Sequence, residues 1–163
     1  MEIADTLAFL IGRWSLRRSF DDHRSGSRGC FEGTAVLAGP IPGQTSAPGV
    51  RARYHEAGRL QFGTHAGPAS RWLEYARLDG PSVMTYFPDG RPFVELDLHG
   101  GAWRSTHRCG DDHHRIVTVV RSPSEVEEHW SVRGPSTDYD AVATFRRATG
   151  ALATSRSEKG GRR

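Results

Sequence analysis

The stretch RSTHRCGDDHHR, residues 104–115, holds three histidines, a cysteine and two aspartates. These are the side chains of zinc sites, of acid–base catalysis and of Cys–His nucleophiles. Their spacing separates those readings. His107 and Cys109 are two residues apart, which in a strand puts them on one face. Gly110 admits the positive φ of a tight turn, and Asp111 or Asp112 can bond back to the chain, so GDD reads as a hairpin. His113 and His114 then open the next strand on opposite faces, and at most one of them joins His107. No CxxC or HxxxH cluster completes a tetrahedral ligand set, so no metal site is expected. Haem would need His107 as its axial ligand, and the glutamates expected nearby suit haem poorly. A small buried hydrophobe is the simpler role for Cys109.

The same alternation sorts the other polar residues. In AWRSTHRC, the face carrying Arg104, Thr106 and Arg108 reads as solvent, leaving Trp103, Ser105, His107 and Cys109 inward. In VRARYHE, Glu56 shares a face with Val50, Ala52 and Tyr54. In VEEHWSV, Glu128 shares a face with Val126, Trp130 and Val132. In FVELDL the phase is ambiguous, and outward carboxylates are preferred. A buried carboxylate costs several kcal/mol unless paired or protonated. A histidine beside one makes an acid–base pair, each moving the other toward neutrality. Glu56 and His107 are therefore the expected catalytic residues. Tyr54, Trp103, Glu128, Trp130, Cys109 and Trp72 are the expected substrate contacts. The alternative is structural, with the glutamates satisfying arginines or a tyrosine inside the fold.

The elements that position these residues are strands. Asp5 or Thr6 can cap one short helical turn carrying Leu7, Phe9 and Leu10, ended by Gly12. From there to about residue 147 the chain alternates in short runs separated by turns such as DGPS, PDGRP and RGPSTD. About ten runs at a spacing of roughly 10–12 residues predict an antiparallel, all-β, up-and-down barrel. Roughly ten strands leave room for a ligand in the centre. The organisation expected is one barrel domain over residues 1–147, plugged at one end by the helix, and a flexible basic tail over 148–163. AGPIPGQTSAPG reads as a loop.

Composition narrows the function classes. The 163 residues suit one domain. The net charge of +3 is supplied by Arg156, Lys159, Arg162 and Arg163 against Glu158 in the tail, so the body is balanced. No basic stripe with interleaved aromatics appears, so no nucleic-acid partner is expected. No run of about 18 apolar residues and no leader-like N-terminus is present, so neither membrane span nor export is expected. Cys30 and Cys109 are then expected as free thiols of a cytoplasmic protein. GxSxG, P-loop and GxGxxG signatures are absent from the sequence.

Several blocks run in order over residues 9–147: FLIGRWSLRRSF, GCFEGTAVL, YHEAGRL, YFPDGRPFVELDL, THRCGDD and WSVRGPSTDY. On these, and above all on HxCGxD and WxVxGPxxDY, the chain resembles a bacterial family catalogued as domain of unknown function 6314. It departs from that pattern in having Val94 where a histidine is usual and Thr137 where a lysine is usual. The family resembles calycin-like barrels, the group of lipocalins, fatty-acid-binding proteins and nitrobindins. The resemblance implies a barrel with a central pocket and names no activity.

The function expected is an enzyme that needs no cofactor. It would be of isomerase, cyclase or dehydratase type, acting on a hydrophobic metabolite held among Trp14, Phe31, Trp72, Trp103 and Trp130. A non-catalytic carrier or sensor of such a ligand is the second reading, and a haem or zinc barrel the third. Pairing through a barrel edge is the route to a homodimer.

Overall fold

The computed structural model describes residues 1–39 and 49–148. The basic tail from 149 onward and most of the Pro/Gly-rich loop, residues 40–48, lie outside the described residues.

Helix α1 spans Thr6–Leu10, with the Asp5 carboxylate accepting from the Ala8 N–H at 3.0 Å as its N-cap. Ten strands follow: β1 Gly12–Asp22, β2 Arg28–Ala38, β3 Val50–Phe62, β4 His65–Arg77 and β5 Val83–Tyr86, then β6 Pro92–Leu96, β7 Ala102–Cys109, β8 Asp112–Ser122, β9 Glu125–Arg133 and β10 Asp138–Arg147. They form one antiparallel sheet in the order β6-β5-β4-β3-β2-β1-β10-β9-β8-β7. Strands adjacent in sequence pair with each other except β6 and β7, and β1 closes onto β10. The expected up-and-down architecture is what the chain adopts. Gly90 and Gly110 take φ of 86° and 61° in the PDGRP and CGDD turns, which a residue with a Cβ rarely adopts.

The barrel is nearly closed. No ladder joins the sheet edges β6 and β7. Side chains bridge the gap instead: the Trp103 indole and the Ser105 hydroxyl both donate to the Glu95 carbonyl, at 2.9 and 2.7 Å. This satisfies part of an edge that would otherwise offer bare backbone groups. The N-terminal segment crosses one end. The Ile3 N–H donates to the His99 carbonyl at 3.1 Å, the Leu98 N–H donates to the Thr6 hydroxyl at 2.9 Å, and Thr6, Leu7 and Leu98 are buried. No helix among the described residues is long and apolar enough to cross a membrane.

Alternation along the strands builds the core. Trp14, Leu16, Phe31, Ala35, Leu37, Leu73, Val83, Leu96, Val126 and Phe145 are all buried. Burying one large apolar side chain contributes about 1.5–3 kcal/mol. On the inner face of β2 and β3, Gly33 stands opposite Gly58. A Cβ on Gly58 would come within 2.2 Å of the Glu32 carbonyl, so the two backbones approach as only glycine permits.

Candidate functional site

The strands surround a partly open lumen with a cavity volume of about 60 Å³. Most of its wall is apolar, from Leu10 and Trp14 through Leu73 and Ile116 to Phe145. Its polar members are Tyr54, Arg71, Tyr75, Thr85, Ser105, Thr118 and Glu128, with the Trp130 indole beside them.

One polar cluster crosses the wall. Arg18 of β1 lies on the face of Trp14 and Leu16 and is buried. Its Nη1 and Nη2 donate to the two oxygens of Glu56 at 2.8 and 3.1 Å, the bidentate geometry that favours arginine over lysine. The Tyr54 hydroxyl donates to Glu56 Oε2 at 2.5 Å, and Arg71 Nη2 donates to the same oxygen at 3.3 Å. Burial alone would push the Glu56 carboxyl up. The Arg18 hydrogen bonds, the charges of Arg71 and Arg18 and the Tyr54 hydroxyl outweigh it and hold the carboxyl at about 2. Burial and the Glu56 charge in turn push the Tyr54 hydroxyl well above its ordinary range.

Arg71 reaches from β4 into the lumen. Its guanidinium sits 5.9 Å from the centre of the Tyr54 ring and 5.7 Å from that of Trp130, which belongs to β9, five strands round the barrel. Tyr75, four residues on, lines the same space, and burial together with the Glu128 charge raises its hydroxyl pKa, so it stays protonated. Glu128 accepts from the Trp130 indole N–H at 3.1 Å.

Of the residues expected from sequence, Glu56 and Tyr54 are buried together, and Glu128 and Trp130 line the lumen. Trp103 is half-buried at the β6/β7 seam. His107 lies among rings, with centroids 5.0 Å from Phe93, 5.9 Å from Phe87 and 5.7 Å from His114. Among the described residues no hydrogen bond or ion pair joins His107 to Glu56, so the expected pair is not brought together. His114 is the histidine that accompanies His107. Burial, then the neighbouring His107, keeps its imidazole pKa below the ordinary value, and its buried Nδ1 has no partner among the described residues.

Two expected contacts need correction. Trp72 is 44% exposed, because Arg71, Leu73 and Tyr75 take the inner face of β4 and turn it outward, where it stacks on His55 at 3.8 Å. Cys109 is exposed. It is the last residue of β7, opposite Asp112 at the barrel rim, where inward phase no longer means burial. Asp112 ties down a different turn from its own, accepting from the Thr137 hydroxyl at 2.6 Å and the Ser136 N–H at 3.3 Å. Sequence reasoning missed Arg18, Arg71 and Tyr75. Alternation with Trp14 and Leu16, and with Leu73, was the signal for them.

Fold and lumen together define a nearly closed, ten-stranded antiparallel barrel with a polar cluster set into an apolar interior. The chain belongs to a family of unknown function, DUF6314, whose model matches residues 10–147. Among solved structures it is similar to an S-type phycobiliprotein lyase, CPES, from Guillardia theta, at 8% identity over 93% of this chain and 95% of that one, with a TM-score of 0.59. A de novo designed fluorescence-activating β-barrel matches at 15% identity over 90% of this chain and all of that one, with a TM-score of 0.43. At 8% identity the likeness to the lyase is one of fold. No curated protein matches the chain.

Proposed function

We propose that the protein binds a small, largely apolar molecule in the barrel lumen, with Trp130, Tyr54, Glu128 and the seam residue Trp103 as its contacts. The observation that carries this reading is the lumen itself. Side chains from strands on all sides border it without filling it, and its wall combines apolar and aromatic surface with a few convergent polar groups, the usual make-up of a ligand pocket. Binding is favoured over proton transfer between Glu56 and His107. Two arginines and a tyrosine already hold Glu56, so it serves as a fixed counter-charge that keeps Arg71 in place.

Titration with the neutral dye Nile red tests the proposal. The wild-type protein is expected to give a saturable, blue-shifted emission with one site per chain. Thr118→Trp and Ser105→Leu each add bulk to the lumen wall and should weaken the dye at least about tenfold, whereas Thr106→Trp, on the outer face, should not. Both inner variants are checked for the wild-type far-ultraviolet spectrum. Equal dye binding by wild type and a folded inner variant, or no saturable binding at all, contradicts the proposal.

A further inference from the structure

We infer that the molecule held in the lumen carries an acidic group, a carboxylate in the simplest case, and that Arg71 is the residue that receives it. This rests on the lumen-binding reading above and adds the chemistry of the ligand's head.

Arg71 is under-used as a donor. A guanidinium has five N–H donors. Arg71 places one long bond, 3.3 Å, on Glu56, and its Nε is buried without a partner among the described residues. A buried donor left unpaired is costly, and the side chain, 34% exposed, keeps further Nη hydrogens for a ligand oxygen. Glu56 is not free to turn further toward Arg71, because Arg18 and Tyr54 hold both of its oxygens. Arg18, Glu56 and Arg71 together carry one surplus positive charge. The Tyr54 and Trp130 rings both lie within 6 Å of the guanidinium, at 5.9 and 5.7 Å, and Phe93 stacks on Trp130 at 5.8 Å. A flat or aromatic body attached to the acid would lie along these rings.

Glu128 is the opposing charge. It borders the same lumen and bonds to the Trp130 indole, and among the described residues no ion pair joins it to Arg71, though its charge acts on that guanidinium. Its charge works against an acidic ligand and would favour one that donates a hydrogen. The two possibilities therefore respond to Glu128→Gln in opposite directions.

The probes are three acids, each paired with its methyl ester: 2-naphthoate, 4-phenylbutyrate and decanoate, with affinities measured by calorimetry near pH 7. At least one acid is expected to bind about tenfold or more tightly than its ester. Arg71→Met should abolish that preference, read as the ratio of acid to ester affinity within the variant, so that any general change in the lumen cancels. Arg71→Lys should restore part of the preference, and Glu128→Gln should strengthen the acid. Arg71→Met leaves Glu56 paired with Arg18, so the fold is expected to survive. No preference for any acid over its ester in wild-type protein that binds Nile red overturns the inference, as does a preference that persists in Arg71→Met or an acid weakened by Glu128→Gln. Failure of Nile red itself strikes the lumen-binding reading instead.

Discussion

Glu56→Ala is expected to destabilise the barrel by on the order of 3–5 kcal/mol, the cost of leaving a buried partner charge uncompensated. The partner is Arg18, whose side chain is only 9% exposed and whose two guanidinium bonds both go to Glu56. The double variant Arg18→Met/Glu56→Leu should lose less than Glu56→Ala, because it removes both charges and keeps apolar volume. Urea unfolding followed by tryptophan fluorescence measures both. The same pair gives the wild type an acid dependence. The Glu56 carboxyl is held at about 2 in the folded state against an ordinary 4.5. A lowered carboxylate pKa stabilises the fold fully above 4.5, and that contribution is lost as pH falls toward 2. It amounts to on the order of 3 kcal/mol. Glu56→Ala should lack this share of the acid dependence. An equal fall in stability between pH 5 and pH 2 for variant and wild type would contradict the assignment.

Gly58→Val is the second large effect expected. The site is sterically closed by backbone: the Glu32 carbonyl lies 2.2 Å, and the Gly33 Cα 2.6 Å, from where a Cβ would stand. Neither can yield as a flexible side chain would, so β2 and β3 must part or shift. Forcing atoms into such a site costs about 1–3 kcal/mol and sometimes more. Gly67→Ala on β4 is the control, since its nearest neighbour would be the His65 side chain at 3.5 Å. Thermal unfolding should show a clearly lowered midpoint for Gly58→Val and little change for Gly67→Ala. Matching midpoints would mean that the close approach of β2 and β3 is not a constraint on the fold.

The barrel was legible because its signal is local. Period-two alternation recurs along the strands, Asp-Gly marks the turns at 79–80 and 89–90, and antiparallel neighbours follow from short turns. Phase also put Tyr54, Glu56, Glu128 and Trp130 inward. It failed where a shortcut replaced it. Arginine was used as a marker of the solvent face, which holds for Arg104 and Arg108 but fails for Arg18 and Arg71. Those two are held inside by Glu56, 38 and 15 residues away, and no local pattern reveals a partner at that distance. Trp72 fails as an inner contact because Leu73 beside it fixes the opposite phase. The meeting of Glu56 with His107 was inferred from both facing inward. An inner face runs the whole way round a barrel, so shared phase does not imply contact.

The lumen as ligand site is tested most directly by the indole N–H resonances of the four tryptophans. Trp14 and Trp130 line the lumen, Trp103 bridges the seam, and Trp72 stacks on His55 outside the barrel. In a nitrogen–proton correlation spectrum, assigned with single Trp→Phe variants, saturating Nile red should move the Trp130 resonance most and Trp14 next, and leave Trp72 in place. A spectrum in which Trp72 moves while Trp130 and Trp14 stay would put the ligand on the outer surface and contradict the account.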